Sequence, residues 1–386
     1  MKDRCVYMAM ALSLACLSVT ACMKSDDPAE QRAYYAARNK ATVKVAAAGP
    51  WSQKRNLLRQ GLELACEEVN AEGGVLSRRV ELIPFDDDSD VGVGQETAYE
   101  IASVRDIVAV IGHSASAVSV PNSILYHYYG ILMLSPLSTS VQLTSQGLNK
   151  VFRNIPSDSI FGMEAANFCR KMGWEKILVY YQDNSYGASQ ANVFEQQCSS
   201  LDIEVADRTS YDASTGRKEI AETADFWLRN YAFDAVYVAG VMPQAGQIVA
   251  ILRQHGILEP IIGGDAFDHP LLLSTAKEYA EDVYAVTIYD DDSTHPAFRD
   301  FKGKFNGKYG KDADQAALQG YDALKVLVAA IARADSLVPA KIAESLRSMG
   351  TWEGPAGPYT FDKDGNAVGK TVVVKKVQGG RFVKVR

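Results

Sequence analysis

The sequence predicts an α/β fold with two lobes of similar construction, each containing a parallel sheet covered by helices. Two observations support this prediction. Runs rich in β-branched residues alternate with helix-length segments along most of the chain, a pattern typical of parallel sheets that are buried on both faces. The alternation occurs in two successive series of about five strands each. We therefore expect two lobes rather than one large sheet.

The N-terminal residues 1–21 have the features of an export signal. Lys2 and Arg4 precede an apolar run from Val6 to Ala21, which ends in small residues. A basic start, a short apolar core and a small-residue cleavage site are the parts of a secretory signal peptide. The run of about 16 residues is shorter than the roughly 20 needed for a membrane-spanning helix. We therefore expect this segment to be removed.

The stretch Val19-Thr20-Ala21-Cys22 resembles the lipobox of bacterial lipoproteins. This resemblance implies that Cys22 becomes the lipidated N-terminus and anchors the protein to a bacterial membrane on its extracytoplasmic side. The alternative is ordinary cleavage after Ala21, with Cys22 incidental. Residues 22–42 are polar and aperiodic, so we predict that they form a tether.

The first series begins with the strand-like run 43–48, and further runs follow at 80–85, 107–111 and 131–135. The first helix of the series ends in "EEVNAEGGV", where Gly73-Gly74 is a helix stop signal. The second series consists of "KILVYYQD", "IEVADRTSY", "DAVYVAG", "PIIGGDAF" and "VYAVTIYD".

The C-terminal part departs from this alternation. Helices are predicted around 296–309, 313–335 and 339–348, and strand-like runs follow them. Asp364-Gly365 and Gly379-Gly380 are hairpin turn signals between these runs. The chain is therefore predicted to close with antiparallel strands at the edge of one lobe.

Composition and charge exclude several functions. The chain has a formal net charge of −7 and no basic stripe, so nucleic acid is not an expected partner. It contains no C-x-x-C pair, and we predict neither a metal nor a cofactor. "DDDSD" at 86–90 is interpreted as a solvated strand end. Cys169 and Cys198 could form a disulfide in an exported protein or remain buried thiols.

Seven stretches occur in an order and spacing that resemble one family. They are "EEVNAEGGV", "VELIPFDDDSD", "VIGHSASAVSVPNSILYHYYGILMLSPLSTSVQLT", "YYQDNSYG", "DAVYVAGVMPQAGQIV", "IIGGDAF" and "WEGPAGPYTFDKDGN". From Val43 to Gly380 the chain resembles the periplasmic substrate-binding proteins of the Leu/Ile/Val-binding type, the receptors of branched-chain amino-acid ABC transporters.

The resemblance implies a type 1 periplasmic binding protein, with two Rossmann-like lobes joined by three hinge crossings. Lobe 1 would comprise 43–155 and 290–353, and lobe 2 would comprise 156–289 and 354–386. A monomer would capture a small molecule between the lobes, close around it and deliver it to a permease. A sensor that presents its closed form to a signalling receptor is the alternative from another functional class.

The loop "IGHSAS" raises the question of catalysis, because it nearly completes the G-x-S-x-G turn of serine hydrolases around Ser114. The fifth position is Ser116 instead of glycine, and no later histidine lies in a distinctive motif. A binding loop is therefore favoured over an enzyme. A helix that begins near Ser116 would present unpaired N–H groups and a positive dipole end to an anion. Alternatively, Ser116 only caps the helix.

By resemblance, five residues contact an amino-acid ligand. Ser116 and Thr139 would bind the carboxylate, Thr139 would also bind the amine, and Ser138 would contribute main-chain groups. Tyr186 would contact the ligand, and Asp265 would pair with its α-ammonium where the family has a glutamate. Structural roles are the alternatives: Thr139 as a helix cap, Tyr186 as a packing aromatic, and Asp265 as a cap for which Asp268 could substitute.

Two departures from the family alter the predicted side-chain pocket. The short loop "GPWSQKRN" places Trp51 where the ligand side chain would lie, and Val241-Met242 replace a pair of tyrosines. We therefore expect an amino acid with an apolar or aromatic side chain. An aromatic acid or a short amide is the alternative ligand.

Overall fold

The computed structural model describes residues 26–53 and 57–385. The predicted signal segment and Cys22 lie outside the described residues. The first series folds into a five-stranded parallel sheet of order β2-β1-β3-β4-β5. Its elements are α1 (Pro28–Arg38), β1 (Thr42–Gly49), α2 (Leu58–Ala71), β2 (Arg79–Asp86), α3 (Val91–Ser103), β3 (Ile107–Ile111), α4 (Ser116–Tyr128), β4 (Leu132–Ser135), α5 (Gln142–Ser145) and β5 (Val151–Arg153).

The second series forms a sheet of order β15-β14-β10-β9-β8-β6-β7, in which the five strands from β6 to β10 are parallel. Its elements are α6 (Asp158–Met172), β6 (Lys176–Gln182), α7 (Ser185–Ser200), β7 (Glu204–Tyr211), α8 (Arg217–Asn230), β8 (Ala235–Ala239), α9 (Gln244–Gln254), β9 (Ile261–Gly263), α10 (Pro270–Ala276) and β10 (Val283–Thr287). The predicted α/β class with two parallel sheets is confirmed.

Three helices and five strands complete the described chain: α11 (Pro296–Tyr309), α12 (Gln315–Ala334), α13 (Pro339–Ser348), β11 (Trp352–Gly354), β12 (Gly357–Phe361), β13 (Ala367–Val368), β14 (Val373–Gln378) and β15 (Arg381–Lys384). Strand β14 pairs antiparallel with β10 and with β15, so the predicted antiparallel ending at a lobe edge is correct. In the part of the chain that the structure describes, no helix is both long and apolar enough to span a membrane.

The segment 354–368, predicted to belong to lobe 2, packs on lobe 1. Tyr359, Phe361 and Ala367 are buried in the same core as the first sheet and α12. The Phe361 ring meets the Phe152 ring edge-on at 5.4 Å between centroids, and the Tyr359 hydroxyl donates to Asp322. Tyr359 and Phe361 lie two residues apart on β12 and so share one face of the strand, which covers the first lobe. The chain therefore returns to the second sheet after Val368.

The predicted tether is partly helical. Residues Pro28–Arg38 form α1, whose first turn is capped by the side chain of Asp27 accepting from Ala29 N. Arg32 and Ala36 are buried against the first lobe. Because one of the two buried residues is an arginine, the segment shows no hydrophobic stripe, and its sequence alone is typical of a linker.

Candidate functional site

The C-terminal edges of the two sheets face each other across a cavity of about 470 Å³. Parallel strands bring their carboxyl ends to one edge, which is where open α/β sheets bind ligands. Of the residues predicted to bind a ligand, five line the cavity: Ser116, Tyr186, Val241, Met242 and Asp265. The cavity is also lined by residues that the sequence did not indicate as ligand contacts; the polar ones include Gln182, Asn184, Gln244, Asp268, His269, Asp314 and Gln315.

The first-lobe wall is built around the beginning of α4. Ser114, Ala115, Ser116 and Ala117 all line the cavity, so the first turn of this helix faces it. Its first N–H groups have no partner within the helix, and the helix dipole is positive at this end. Ser116 Oγ accepts a hydrogen bond from Ser140 N at 3.2 Å, which ties the helix start to the loop after β4. This arrangement suits a carboxylate.

Ser138 and Thr139 do not line the cavity; they lie fully buried behind its wall. The backbone N–H of Ser138 donates to Ser135 Oγ, and its carbonyl accepts from Arg153. The Thr139 carbonyl accepts from Asp158 N at 2.8 Å. The main-chain groups of Ser138, which were predicted to meet the ligand, are therefore engaged within the protein, whereas Thr139 Oγ1 is buried without a hydrogen-bond partner among the described residues. The proposed helix-cap role of Thr139 is also absent, since α5 has no side-chain cap.

Ser114 lacks the base that a nucleophile needs. The neighbouring His113 is fully buried, with Nδ1 2.6 Å from Asp87 Oδ2 and Nε2 2.8 Å from the Tyr126 hydroxyl. Both imidazole nitrogens are thereby occupied. Ser114 Oγ has no hydrogen-bond partner among the described residues. An activated serine requires a base within hydrogen-bond reach, so this geometry does not support acyl transfer.

The second-lobe wall places a tyrosine against a carboxylate. Asn184 caps α7 by accepting from Tyr186 N and Gly187 N, and this cap holds Tyr186 at the beginning of the helix. The Tyr186 hydroxyl donates to Asp265 Oδ1 at 3.0 Å. Burial raises the pKa of Asp265 to about 7, and the nearby Asp158 carboxyl contributes to this rise.

Sequence reasoning missed Asp158 and Gln190. Asp158 begins α6 and is fully buried, and burial raises its pKa to about 6. Gln190 Nε2 donates to Asp158 Oδ1 at 2.9 Å and lies 3.4 Å from Asp265 Oδ1. Two poorly solvated carboxylates thus share one amide. Such a pair favours a cation in the adjacent cavity.

Asp265 is not the cap of α10. His269 Nδ1 accepts from Leu271 N and performs that function, whereas Asp268 accepts from Lys375 at 3.0 Å and bonds Thr287. Asp268 is therefore paired within the protein. Asp265 receives a hydrogen bond from Tyr186 but has no salt-bridge partner among the described residues. Of the two aspartates, Asp265 is the one available to a ligand.

The apolar part of the cavity differs from the prediction in one residue. Val241 and Met242 line it together with Leu137 and Leu271. Trp51 does not, because its ring lies over Gly49 and its indole N–H donates to Ala47 O at 3.2 Å. A Cβ at position 49 would come within 2.8 Å of that ring, so the glycine allows the tryptophan to fold back onto the end of β1.

The remaining sequence predictions concern thiols and metals. Cys169 and Cys198 are buried free thiols, so the alternative of a disulfide between them is not realised. Within 26–53 and 57–385, no group of three or more His, Cys, Asp or Glu side chains is arranged to hold a metal ion.

Residues 43–381 match the family described as periplasmic binding protein. The chain belongs to this family. The family comprises solute-binding receptors rather than enzymes, and membership implies an extracytoplasmic location. The resemblance stated from the sequence is confirmed.

Curated relatives bind branched-chain amino acids. The chain is 27% identical over 332 residues to the leucine-, isoleucine-, valine-, threonine- and alanine-binding protein of Pseudomonas aeruginosa, covering 84% of this chain and 87% of the relative. It is 27% identical over 331 residues to the Leu/Ile/Val-binding protein of Escherichia coli K12, covering 86% of this chain and 88% of the relative.

Solved structures show the same architecture. An ABC transporter substrate-binding protein from Desulfitobacterium hafniense in complex with Leu is 33% identical, with a TM-score of 0.80 over 89% of this chain and 100% of that one. The leucine-binding protein LivK from Thermotoga maritima is 27% identical, with a TM-score of 0.82 over 89% of this chain and 98% of that one.

Proposed function

We propose that this chain is an extracytoplasmic lipoprotein that captures an α-amino acid between its lobes and delivers it to an ABC permease. The proposal rests on one observation: one wall of the cavity favours a negative charge and the opposite wall favours a positive charge. The beginning of α4 lies on one wall and Asp265 lies on the other. A zwitterion satisfies both walls at once and thereby stabilises the closed form.

A ligand with only a carboxylate would leave Asp265 without a partner. Burying a charge without a partner is costly, and the carboxyl avoids this by taking up a proton. An α-ammonium beside Asp265 removes that cost, and the Tyr186 hydroxyl orients the carboxylate toward it. The second wall therefore favours amino acids over plain acids.

The side-chain preference rests on Val241, Met242, Leu137 and Leu271, which line the cavity. They favour an apolar side chain, in agreement with the Pseudomonas aeruginosa relative, whose name includes leucine, isoleucine and valine, and with the Desulfitobacterium hafniense protein, which was solved in complex with Leu. The lipid on Cys22 is proposed from the sequence Val-Thr-Ala-Cys. Delivery to a permease is proposed from the relatives described as ABC transporter proteins.

Calorimetry with the purified chain tests the ligand class. We expect leucine, valine or phenylalanine to bind and the matching acids without an amino group, such as 4-methylpentanoate and 3-phenylpropanoate, to bind far more weakly. Each pair has the same side chain and differs only in the ammonium. Equal binding of the two members would contradict the amino-acid assignment and favour an acid or amide receptor.

A further inference from the structure

The side chain of Gln315 lies between the cavity and the end of a strand of the second sheet. Gln315 is the first residue of α12 and lines the cavity. The Oε1 position of its amide lies 2.6 Å from Thr287 Oγ1. The other terminal atom of the amide has no hydrogen-bond partner among the described residues, and it keeps accessible surface. That atom is therefore open to a ligand in the cavity.

The hydrogen bonds of Thr287 decide whether this open atom is oxygen or nitrogen. Thr287 Oγ1 accepts from Tyr289 N at 3.1 Å and lies 2.8 Å from Asp268 Oδ2. Asp268 is ion-paired with Lys375 at 3.0 Å, so its carboxylate has no proton to donate. A threonine hydroxyl has one proton and two acceptor lone pairs. Because a carboxylate is a stronger acceptor than an amide oxygen, the Thr287 proton goes to Asp268.

With its proton on the side of Asp268, Thr287 can only accept a hydrogen bond from Gln315. An amide oxygen at 2.6 Å would face the hydroxyl oxygen with no hydrogen between them, which is repulsive. A half-turn about the last side-chain bond exchanges the amide oxygen and nitrogen, and the nitrogen then donates to Thr287. All three contacts of the hydroxyl are satisfied in this orientation. The amide oxygen of Gln315 consequently faces the cavity.

This oxygen belongs to the same corner of the cavity as Asp265. Thr287 ends β10, which pairs in parallel with β9, and Ala285 is opposite Gly263. Two residues further along each strand, the same register brings Thr287 level with Asp265. Neighbouring strands are about 4.8 Å apart, so an amide held at Thr287 is near the Asp265 carboxyl. Gln315 and Asp265 both line the cavity.

Three other polar side chains that line the cavity near this corner are engaged within the protein. Asp314 accepts two backbone N–H groups, one with each carboxylate oxygen. His269 Nδ1 accepts a backbone N–H in the first turn of α10. The Asp268 carboxylate accepts from the Lys375 ammonium. The Gln315 oxygen is thus an acceptor that a ligand can reach without displacing a contact within the protein.

We propose that Gln315 is a second acceptor for the α-ammonium of the ligand, supplied by the first lobe. An ammonium has three N–H donors, and a buried donor without an acceptor is costly. Asp265 offers a carboxylate from the second lobe, whereas Gln315 extends from α12, which packs in the same core as the first sheet. The ammonium thus joins the two lobes. This inference rests on the proposed function and adds a residue that selects for an amino group.

Calorimetry on Gln315→Met tests this contact with two ligands that share a side chain. Leucine carries the ammonium, and 4-methylpentanoate does not. We expect Gln315→Met to weaken leucine binding by about tenfold or more, because a hydrogen bond to a charged group is lost. The affinity for 4-methylpentanoate, measured by competition where it is weak, should be unchanged. Unchanged binding of the acid also shows that the variant is folded.

Thr287 provides a second test that leaves Gln315 in place. Thr287→Val removes the hydroxyl that orients the amide, so it should weaken leucine binding by about threefold or more without weakening the acid. Thr287→Ser should bind leucine like the wild type. In the double variant Thr287→Val/Gln315→Met, the loss should equal that of Gln315→Met alone, because the hydroxyl acts on leucine only through the amide. A role of Thr287 in stability alone would not produce this dependence.

Gln244→Met is the matched control. Gln244 also lines the cavity, but its amide nitrogen donates to Asp212 O. The ratio of the leucine and 4-methylpentanoate affinities should be the same in Gln244→Met as in the wild type. A ratio that changes in Gln244→Met and not in Gln315→Met would overturn the inference.

An equal loss of both ligands in Gln315→Met would show that the amide presents its nitrogen to the ligand carboxylate, which would also overturn the inference. Unchanged leucine binding in this variant would do the same. In each of these cases the proposed function stands, because leucine binding by the wild type is measured independently. If leucine, valine and phenylalanine all fail to bind the wild type, the proposed function fails and this inference fails with it.

Discussion

Gln190 joins the carboxyl groups of Asp158 and Asp265, which come from different elements of the second lobe. Its amide nitrogen lies 2.9 Å from Asp158 Oδ1 and 3.4 Å from Asp265 Oδ1. Arg153, whose charge lowers the pKa of Asp158, directs its Nη atoms to Ser138 O, Ser140 O and Thr144 Oγ1 and not to either carboxyl. The pair is therefore not neutralised by a salt bridge, and an ammonium in the cavity would supply the missing positive charge.

The substitution Asp265→Asn should weaken amino-acid binding by about 2–5 kcal/mol, since it removes one partner of a buried charge pair. The same substitution should have little effect on the binding of a plain carboxylic acid, because that ligand has no ammonium to pair with the aspartate. Calorimetry on both ligand types measures the difference. Asp183→Asn is the matched control, because Asp183 is exposed and directly follows β6, which lies in the same sheet as the strand β9 that precedes Asp265. Amino-acid affinity that is indifferent to Asp265→Asn would refute the role of Asp265.

Amino-acid affinity should fall as the pH is lowered from 8 to 5.5. Asp265 and Asp158 have pKa values raised to about 7 and about 6, in both cases mainly by burial. An ammonium binds their ionised forms, so protons compete with it below these values. Below the pKa of one such group the affinity should decrease about tenfold per pH unit. Calorimetry across this range should show a flatter profile for Asp265→Asn.

The unliganded protein should show the opposite trend. A carboxyl whose folded-state pKa is raised binds its proton more tightly in the folded chain than in the unfolded chain. Its contribution to the free energy of unfolding therefore increases as the pH falls through about 7 and 6 toward its ordinary value near 4. Urea unfolding of the wild type and Asp265→Asn should isolate this contribution. If the difference in unfolding free energy between the wild type and Asp265→Asn does not vary with pH, the assigned pKa of Asp265 is contradicted.

Thr287, the last residue of β10, contacts side chains from two parts of the chain that are distant in sequence. Its Oγ1 lies 2.8 Å from Asp268 Oδ2 and 2.6 Å from Gln315 Oε1, and both of these residues line the cavity. Thr287→Val keeps the shape but leaves buried polar groups without this partner, which should cost about 1–3 kcal/mol of stability. Thr287→Ser should retain most of the stability. Equal loss in the two variants, measured by chemical unfolding, would show that the hydroxyl is not responsible.

The sequence was sufficient for the parts of the molecule that follow periodic patterns. Alternating β-branched runs predicted both parallel sheets, and the turn signals Asp364-Gly365 and Gly379-Gly380 predicted the antiparallel ending. Asp265 and Ser116 could be placed because each follows a buried strand, and such ends converge in a parallel sheet. Each of these inferences rests on a pattern of residues that are close in sequence. Such patterns specify the strands and turns that the folded chain contains.

Other features depend on packing that no local pattern reports. Trp51 turns away from the cavity because Gly49 offers its ring a flat surface. Asp158 begins a helix, where an acidic residue is ordinary, and only the approach of Gln190 and Asp265 distinguishes it. The burial of Arg32 depends on carbonyls 70 or more positions away in the chain. Such long-range partners cannot be read from a polar segment alone.

Ser114 and Ser116 make a matched pair for testing whether this loop binds or reacts. Ser114 Oγ has no hydrogen-bond partner among the described residues, so Ser114→Ala should leave amino-acid affinity nearly unchanged. Ser116→Ala removes the acceptor for Ser140 N and a hydroxyl at the anion site, which should weaken binding by about 0.5–1.5 kcal/mol. Neither the wild type nor either variant should react with a fluorophosphonate. Serine labelling that disappears in Ser114→Ala would show that the loop carries a nucleophile after all, because such labelling requires a serine activated by a nearby base.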